Sequence, residues 1–138
     1  MKRLTLLLFS AATMFAGSAA ASGPPSSATV LIRHQLQHCH AWSFNGGAFL
    51  ADTAGTIAKG GTITFTNNDV MPHALYLRSG LTPRFLGSPA LKHMGASIKV
   101  VFPKAGVYVF GTRAGEDYFK GVKTIGEDNV LVLTVVVK

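Results

Sequence analysis

The residues of this chain that can bind a metal are concentrated in one stretch, R-H-Q-L-Q-H-C-H-A-W, from Arg33 to Trp42. It contains three of the five histidines, His34, His38 and His40, and the only cysteine, Cys39. A thiolate flanked by imidazoles is a soft, electron-rich donor set that suits copper or zinc. The stretch therefore predicts a metal site.

Strand geometry limits how many of these side chains can serve one ion. Successive side chains of an extended strand point to opposite faces, so Cys39 opposes His38 and His40 unless the chain bulges or turns there. We predict Cys39 and His40 as a ligand pair and keep His38 as a secondary candidate. His34 lies within the first predicted strand and is interpreted as a partnered or surface histidine. The competing interpretation of Cys39 is a buried thiol or an intermolecular disulfide.

The N-terminal residues 1–21 have the pattern of a secretory signal peptide. A basic start at Lys2 and Arg3 is followed by a short apolar run and by small residues up to a cleavage site near Ala21. Residues 22–27 are predicted to be a flexible lead-in, and residues 28–138 have the size of one domain. The apolar run is too short to span a membrane. We expect an exported protein, periplasmic or extracellular, with no transmembrane segment in its mature form.

Composition argues against several classes of function. The formal net charge is +7, but the basic residues are scattered along the chain. Nucleic-acid binding requires such residues to be clustered, so it is not expected. We find no Ser/His/Asp arrangement, paired-carboxylate spacing or phosphate-binding glycine loop, so no enzymatic activity is predicted.

Short runs of β-forming residues alternate with turn signals along the whole domain. The predicted extended segments are 28–36, 44–51, 62–66, 74–77, 98–102, 107–110 and 130–137. Residues 79–97 carry several Gly and Pro and are predicted to be a long loop, with or without a weak helix. Residues 111–126 form a second, glycine-rich loop. Seven or eight short strands without a long helix predict an all-β sandwich or barrel of Greek-key type.

Two segments resemble the cupredoxin superfamily, the plastocyanin and azurin type of small blue-copper β-sandwich. G-G-T-I-T-F-T-N-N-D-V-M-P-H, ending at His73, resembles the strand whose final P-H supplies the first copper-binding histidine. P-K-A-G-V-Y-V-F, ending at Phe110, resembles the turn and strand that lead to the remaining ligands. The resemblance spans most of residues 28–138. It implies a cupredoxin-like fold and a copper-binding role for His73.

The chain departs from the family where the remaining ligands should lie. Cupredoxins continue with a loop that supplies Cys, His and usually Met. Here Thr112 stands at the Cys position and Gly115 at the His position, and no methionine follows. A blue-copper site built on that loop is therefore impossible, and fold analogy alone gives the wrong ligands.

The strand directions implied by the resemblance bring other ligands to the same pole of the sandwich. The first strand and the strand ending in N-N-D both run toward the copper pole, and the strand 98–102 starts there. All five histidines, the cysteine and the two methionines outside the predicted signal peptide fall within residues 34–40, 71–73 and 93–94. The convergence predicts a rearranged mononuclear copper site whose thiolate comes from the early loop.

We predict four ligands for one copper ion, Cu(I) or Cu(II): Cys39, His40, His73 and Met94. Met94 offers a thioether, which favours Cu(I) and is the usual weak axial donor of blue-copper sites. The secondary candidates are His38, His93 and Met71.

The predicted function is that of an exported cupredoxin-like copper-binding protein, acting in electron transfer or in periplasmic copper handling. A Cys, two His and a Met suit electron transfer, whereas extra histidines suit buffering or delivery, and the sequence leaves both open. The alternative is a metal-free cupredoxin-like domain that serves as a binding module. The expected partner is a redox protein or a copper donor or acceptor, and an acidic one fits the positive charge. We expect a monomer.

Overall fold

The computed structural model describes residues 22–35, 39–114 and 130–138. Within these residues the chain forms ten β-strands and no helix. They are β1 (Ser27–His34), β2 (His40–Phe44), β3 (Asp52–Ile57), β4 (Thr62–Asn67), β5 (His73–Gly80), β6 (Arg84–Leu86), β7 (Ala90–Leu91), β8 (Ser97–Val101), β9 (Gly106–Ala114) and β10 (Val132–Val137). The described part of the chain thus contains no helix able to cross a membrane. The predicted signal peptide at 1–21, His38, and residues 115–126 of the predicted second loop lie outside the described residues.

The ten strands are arranged in two five-stranded sheets. The first has the order β2-β1-β4-β8-β6 and the second the order β3-β10-β9-β5-β7. Two pairs, β1 with β4 and β3 with β10, are parallel, and the others are antiparallel. This arrangement confirms the predicted all-β class.

The core lies between the two sheets and follows from the alternation of side chains along each strand. In β4, Ile63 and Phe65 are fully buried while the intervening threonines are partly exposed. The ring of Phe65 lies 5.4 Å from that of Phe110 in β9, which joins the two sheets. Trp42 is fully buried, and its Nε1–H donates to the carbonyl of Val132 at 3.1 Å. Burial of each such ring stabilises the sandwich by about 2–3 kcal/mol.

Three strands were not predicted, and all three lie at sheet edges. β3 reads D-T-A-G-T-I, with little apolar alternation, and it is held by parallel pairing with β10. β6 and β7, three and two residues long, lie within the predicted loop 79–97 and pair with β8 and β5. Such short edge strands depend on pairing partners and carry no local sequence signal. β2 overlaps the predicted segment 44–51 only at Phe44, and β9 continues to Ala114, so the first four residues of the predicted loop 111–126 are strand.

One end of the sandwich collects the ends of six strands. The parallel pairing of β1 with β4 places Ile32 opposite Asn67, and the antiparallel β8 starts at Ser97, opposite Thr66. In the other sheet His73, which starts β5, pairs with Ala114 at the end of β9. β2 starts here as well, because it pairs antiparallel with β1. These pairings confirm the strand directions that the resemblance implies. We call this end, defined by His34, His40, Asn67 and His73, the histidine pole.

Candidate metal centre

His34 and His40 face each other across the β1–β2 hairpin. They are register partners, and directly opposed side chains of an antiparallel pair lie on the same face. The next pair on that face, Ile32 and Trp42, is fully buried. The two histidines therefore continue the core-facing row of the hairpin to its end, and their ring centroids are 5.7 Å apart. His40 is buried, whereas His34 is exposed.

The chain turns at Cys39 before β2 begins. Cys39 has a φ of 48°, in the left-handed region that few residues other than glycine adopt. The backbone N–H of Gln35 donates to the carbonyl of Cys39 at 2.8 Å and closes the connection between the two strands. Cys39 therefore does not continue an extended strand into His40, which is the condition stated above for these two neighbouring side chains to face one ion. The side chain of Cys39 is partly buried and forms no disulfide among the described residues.

The segment from Asn67 to His73 is a turn stabilised by its own side chains. The side-chain carbonyl of Asn67 accepts the Asp69 N–H at 2.8 Å, and its amide donates to the carbonyls of Met71 at 2.8 Å and Leu91 at 3.0 Å. Oδ1 of Asp69 in turn accepts the N–H of Met71 at 3.0 Å. These are Asx turns, in which a side chain replaces a backbone acceptor two residues on. They fix the carboxyl group of Asp69 and leave its second oxygen facing the histidines.

That second oxygen, Oδ2 of Asp69, is shared by two buried histidines. Nδ1 of His40 lies 2.7 Å from it and Nε2 of His73 lies 3.2 Å from it, so each ring donates an N–H to the carboxylate. The two rings are 4.8 Å apart and almost perpendicular, at 88°. Nδ1 of His73 lies 3.3 Å from Oγ1 of Thr112, whose hydroxyl donates to it. Both nitrogens of His73 are therefore engaged by the protein.

Burial and hydrogen bonding set the charges of this network. The pKa of His73 is lowered to about 4, mainly by desolvation and also by the positive field of His40, against the opposing effect of Asp69. Burial alone would raise the pKa of Asp69, but hydrogen bonds from the Met71 N–H, His73 and His40 outweigh it and lower that pKa. At neutral pH the network thus contains an ionised Asp69 and a neutral His73.

The ligand atoms of His34, His40 and Asp69 all lie within 4.8 Å of one another. Among the described residues, these three form the one group of His, Cys, Asp or Glu side chains that lie close enough together to hold a metal ion. Imidazole nitrogens and a carboxylate oxygen are suitable ligands for divalent copper and zinc. The side chains present at the histidine pole therefore fit a metal of this kind.

The structure brings two of the four predicted ligands, His40 and His73, together through Asp69. Cys39 precedes His40 directly but is not part of the group formed by His34, His40 and Asp69. Met94 lies in the segment before β8 with its side chain 53% exposed. Whether Cys39 and Met94 bind a metal stays a prediction.

The secondary candidates lie at or near the surface where they are described. His93 is exposed, and its Nδ1–H donates to the carbonyl of Met94 at 3.0 Å. Met71 is 38% exposed and follows the turn that fixes Asp69. His38 lies outside the described residues.

Sequence reasoning gave no role to Asp69 and did not favour His34. Asp69 was considered only as the last residue of N-N-D at the end of a strand, and no local signal shows that its carboxylate meets a histidine 29 residues earlier. A signal did exist for His34, because it follows the buried Ala28, Val30 and Ile32 at intervals of two and so lies on the same face of β1, although it is itself exposed at the strand end.

Comparisons with known proteins find distant likenesses among solved structures. No protein-family model matches the chain, and no curated protein is a significant match. Among solved structures the chain is similar to a purple cupredoxin from Nitrosopumilus maritimus, with 21% identity over 80% of this chain and 98% of that one and a TM-score of 0.48. It is also similar to amicyanin from Paracoccus versutus, with 18% identity, coverage of 80% and 81%, and a TM-score of 0.44.

A third similar structure is a chain of a heme-copper terminal oxidase dimer. The identity is 15%, the coverage is 92% of this chain and 78% of that one, and the TM-score is 0.48. With identities of 21% or less and TM-scores of 0.48 or less, these likenesses concern the fold and carry no argument about the site or the role. The site is argued from the side chains of the histidine pole alone.

Proposed function

We propose that this chain is an exported cupredoxin-like protein that binds one copper ion at the histidine pole and serves in copper handling, by buffering or delivery. The observation that carries the proposal is the convergence of His34, His40 and Asp69, whose ligand atoms lie within 4.8 Å of one another. Export rests on the signal-peptide pattern of residues 1–21. An acidic protein is the proposed donor or acceptor of the metal, because the sequence carries a net charge of +7, of which +5 remains without Lys2 and Arg3 of the predicted signal peptide.

Copper handling is favoured over electron transfer by the chemistry and exposure of the side chains at the pole. Rapid electron transfer is served by a thiolate and a thioether held rigidly around the ion. Here the Met94 side chain is 53% exposed, and Cys39 is not part of the group with His34, His40 and Asp69. The exposed His34 instead leaves one side of the group open to solvent, which allows the ion to be exchanged.

The chain's own residues have distinct roles in this proposal. His40 is held by its hydrogen bond to Asp69, and Asp69 is held by Met71 and His73. Hydrogen bonds of this kind orient ligands and raise their affinity for a metal. Copper is the cargo, and the protein supplies an oriented set of imidazole and carboxylate donors for it.

The proposal is tested by loading the purified, metal-free protein with one equivalent of Cu(II) and recording its absorption and EPR spectra beside those of Cys39→Ser. We expect one bound copper, and transfer of that copper to a competing chelator within the mixing time of the experiment. A strong thiolate-to-copper charge-transfer band that is lost in Cys39→Ser, together with fast electron self-exchange, would instead support electron transfer. Absence of copper binding by the wild-type protein would contradict the proposal.

A metal-free binding module is the second candidate, and one observation favours it. Among the described residues, no buried side-chain nitrogen or oxygen lacks a hydrogen-bond partner. The network of His40, Asp69, His73 and Thr112 is therefore complete without a metal, as a purely structural polar cluster would be. The copper titration separates the two candidates, because a structural cluster leaves Cu(II) unbound at micromolar concentrations.

A further inference from the structure

We propose that the metal ligands are His34, His40 and Asp69, so that a carboxylate supplies the anionic donor where a cysteine thiolate was expected. The site then selects a divalent ion, Cu(II) or Zn(II), over Cu(I). This inference rests on the proposed function in so far as the ion is copper. It differs from the ligand set predicted from the sequence in two of its three members.

The spacing of the three groups matches what one ion requires. Bonds from zinc to imidazole nitrogen or carboxylate oxygen are roughly 2.0–2.2 Å long, so two ligand atoms on opposite sides of an ion are at most about 4.2 Å apart. The ligand atoms of His34, His40 and Asp69 are within 4.8 Å of one another before any metal is present. The spacing is therefore close to that of ligands on one ion, and an ion bound by Nδ1 of His40 and Oδ2 of Asp69 takes the place of the proton that now joins them.

The buried side of the group is already oriented. Oδ1 of Asp69 accepts the Met71 N–H, and Oδ2 accepts an N–H from His40 and one from His73. Both histidines are fully or almost fully buried. His73 is in turn held by Thr112. Since both nitrogens of His73 are engaged, we assign it as a positioning residue that holds Asp69, rather than as a ligand.

The open side of the group is formed by His34. Its register pairing with His40 places the two imidazoles on one face of the hairpin with ring centroids 5.7 Å apart. The residue is exposed, so its ring can move onto an incoming ion without breaking core packing. Two buried, fixed ligands and one mobile, exposed ligand are the arrangement expected of a site that loads and releases its ion.

The donor atoms determine the preferred oxidation state. Thiolate and thioether ligands stabilise Cu(I), whereas imidazole and carboxylate ligands suit divalent ions. Cys39 does not belong to the group, and Met94 is 53% exposed, so the group itself consists of nitrogen and oxygen donors. Among divalent ions, Cu(II) binds more tightly than Zn(II) to a given set of nitrogen and oxygen donors.

The experiment compares ion affinities of the full chain and of matched variants by competition titration with chelators. His34→Gln and Asp69→Asn remove proposed ligands, while Cys39→Ser and Met94→Leu remove the soft donors. His93→Gln is the control for loss of an exposed histidine outside the group. Cu(II), Zn(II) and, under reducing and anaerobic conditions, Cu(I) are titrated in turn, and thermal unfolding of each metal-free variant checks that it is folded.

We expect His34→Gln and Asp69→Asn to weaken Cu(II) and Zn(II) binding by roughly tenfold to a hundredfold or more, which is at least the loss seen when supporting groups of a metal site are removed. Cys39→Ser, Met94→Leu and His93→Gln should retain the wild-type affinity for both ions. If Asp69→Asn does not fold, His34→Gln still decides the question, because His34 is exposed at the end of its strand.

The possible failures are distinguishable. Loss of Cu(II) binding in Cys39→Ser or Met94→Leu, with His34→Gln unaffected, would overturn the assigned ligands and leave the proposed copper-binding function standing. Binding of Zn(II) with the expected variant pattern, but no binding of copper, would overturn the proposed function and keep the ligand group. A wild-type protein that binds neither ion overturns both.

Discussion

Nδ1 of His40 lies 2.7 Å from Oδ2 of Asp69, although 29 residues separate them in the chain. The contact joins the β1–β2 hairpin to the turn after β4, and both residues are buried. A charge-assisted hydrogen bond of this length in a buried setting is a strong one. The histidine pole is therefore organised before any metal binds, and its stability and its metal affinity depend on the same carboxylate.

Replacing Asp69 by asparagine should lower the free energy of unfolding of the metal-free protein by about 3 kcal/mol, because removal of one partner from a buried charged network leaves the other partners unsatisfied. Urea unfolding in the presence of a chelator measures this change. Asp52→Asn is the matched control, since Asp52 is exposed at the start of β3 and its replacement should change stability by less than about 0.5 kcal/mol. Equal effects of the two substitutions would contradict the proposed importance of the Asp69 network.

Replacing Asn67 by alanine should be costly as well. The fully buried Asn67 side chain makes three hydrogen bonds, to the Met71 and Leu91 carbonyls and from the Asp69 N–H. Their loss leaves buried backbone groups unpaired, and we expect a decrease of about 3 kcal/mol in the free energy of unfolding. Asn68→Ala is the control, because Asn68 is adjacent but exposed. Metal affinity should fall in Asn67→Ala and not in Asn68→Ala.

The stability of the metal-free protein should decrease as the pH is lowered from 7.5 to 5. His73 has a pKa of about 4 in the folded protein, against 6.5 as its ordinary value. As the pH falls through 6.5, the unfolded chain therefore takes up a proton on this residue that the folded protein does not. Stability gained at neutral pH is therefore lost as the pH falls below 6.5, and by pH 5 the loss is about 2 kcal/mol. The urea midpoint, measured with a chelator present, reports it.

His73→Gln is the variant that checks the cause of this pH dependence. Glutamine does not titrate, so the part of the slope that His73 causes should disappear between pH 7.5 and 5. Asp69 does not cause this slope, because the pKa of its carboxyl group is lowered from 3.8 in the folded protein. Its contribution to the free energy of unfolding is lost only at pH values lower than those of this window. An unchanged slope in His73→Gln would assign the effect to other groups.

Replacing Thr112 by cysteine should place a thiol beside His73. Oγ1 of Thr112 lies 3.3 Å from Nδ1 of His73, at the position where the cupredoxin resemblance implies a cysteine. Nδ1 of His73 faces Thr112 while Nε2 faces Asp69, so a thiol at position 112 lies across the ring from the proposed ligands. We therefore expect Thr112→Cys loaded with Cu(II) to show no thiolate-to-copper charge-transfer band beyond that of Thr112→Ser. A new band in Thr112→Cys would contradict the assignment of His34, His40 and Asp69 as the ligands.

The long strands were predictable because apolar and polar residues alternate along them in the sequence, as buried and exposed side chains do in the structure. T-I-T-F-T-N forms β4 with Ile63 and Phe65 inside, and the β-branched C-terminal run forms β10. β3, β6 and β7 were missed because edge strands this short or this polar are stabilised by their neighbours rather than by their own residues. The pole at which ligands should gather was also predictable, since strand direction follows from the pairing order that the resemblance implies.

The amino-acid sequence by itself determined the all-β class of the chain, and it shows Thr112 and Gly115 where the cupredoxin resemblance implies Cys and His. Period-2 alternation and the residues at positions 112 and 115 are local properties, so they can be read without coordinates. The tertiary structure decided which side chains meet there. Hairpin register pairs His34 with His40, and the Asn67 hydrogen bonds aim Asp69 at both His40 and His73. Those contacts depend on how distant segments pack, which no local pattern specifies.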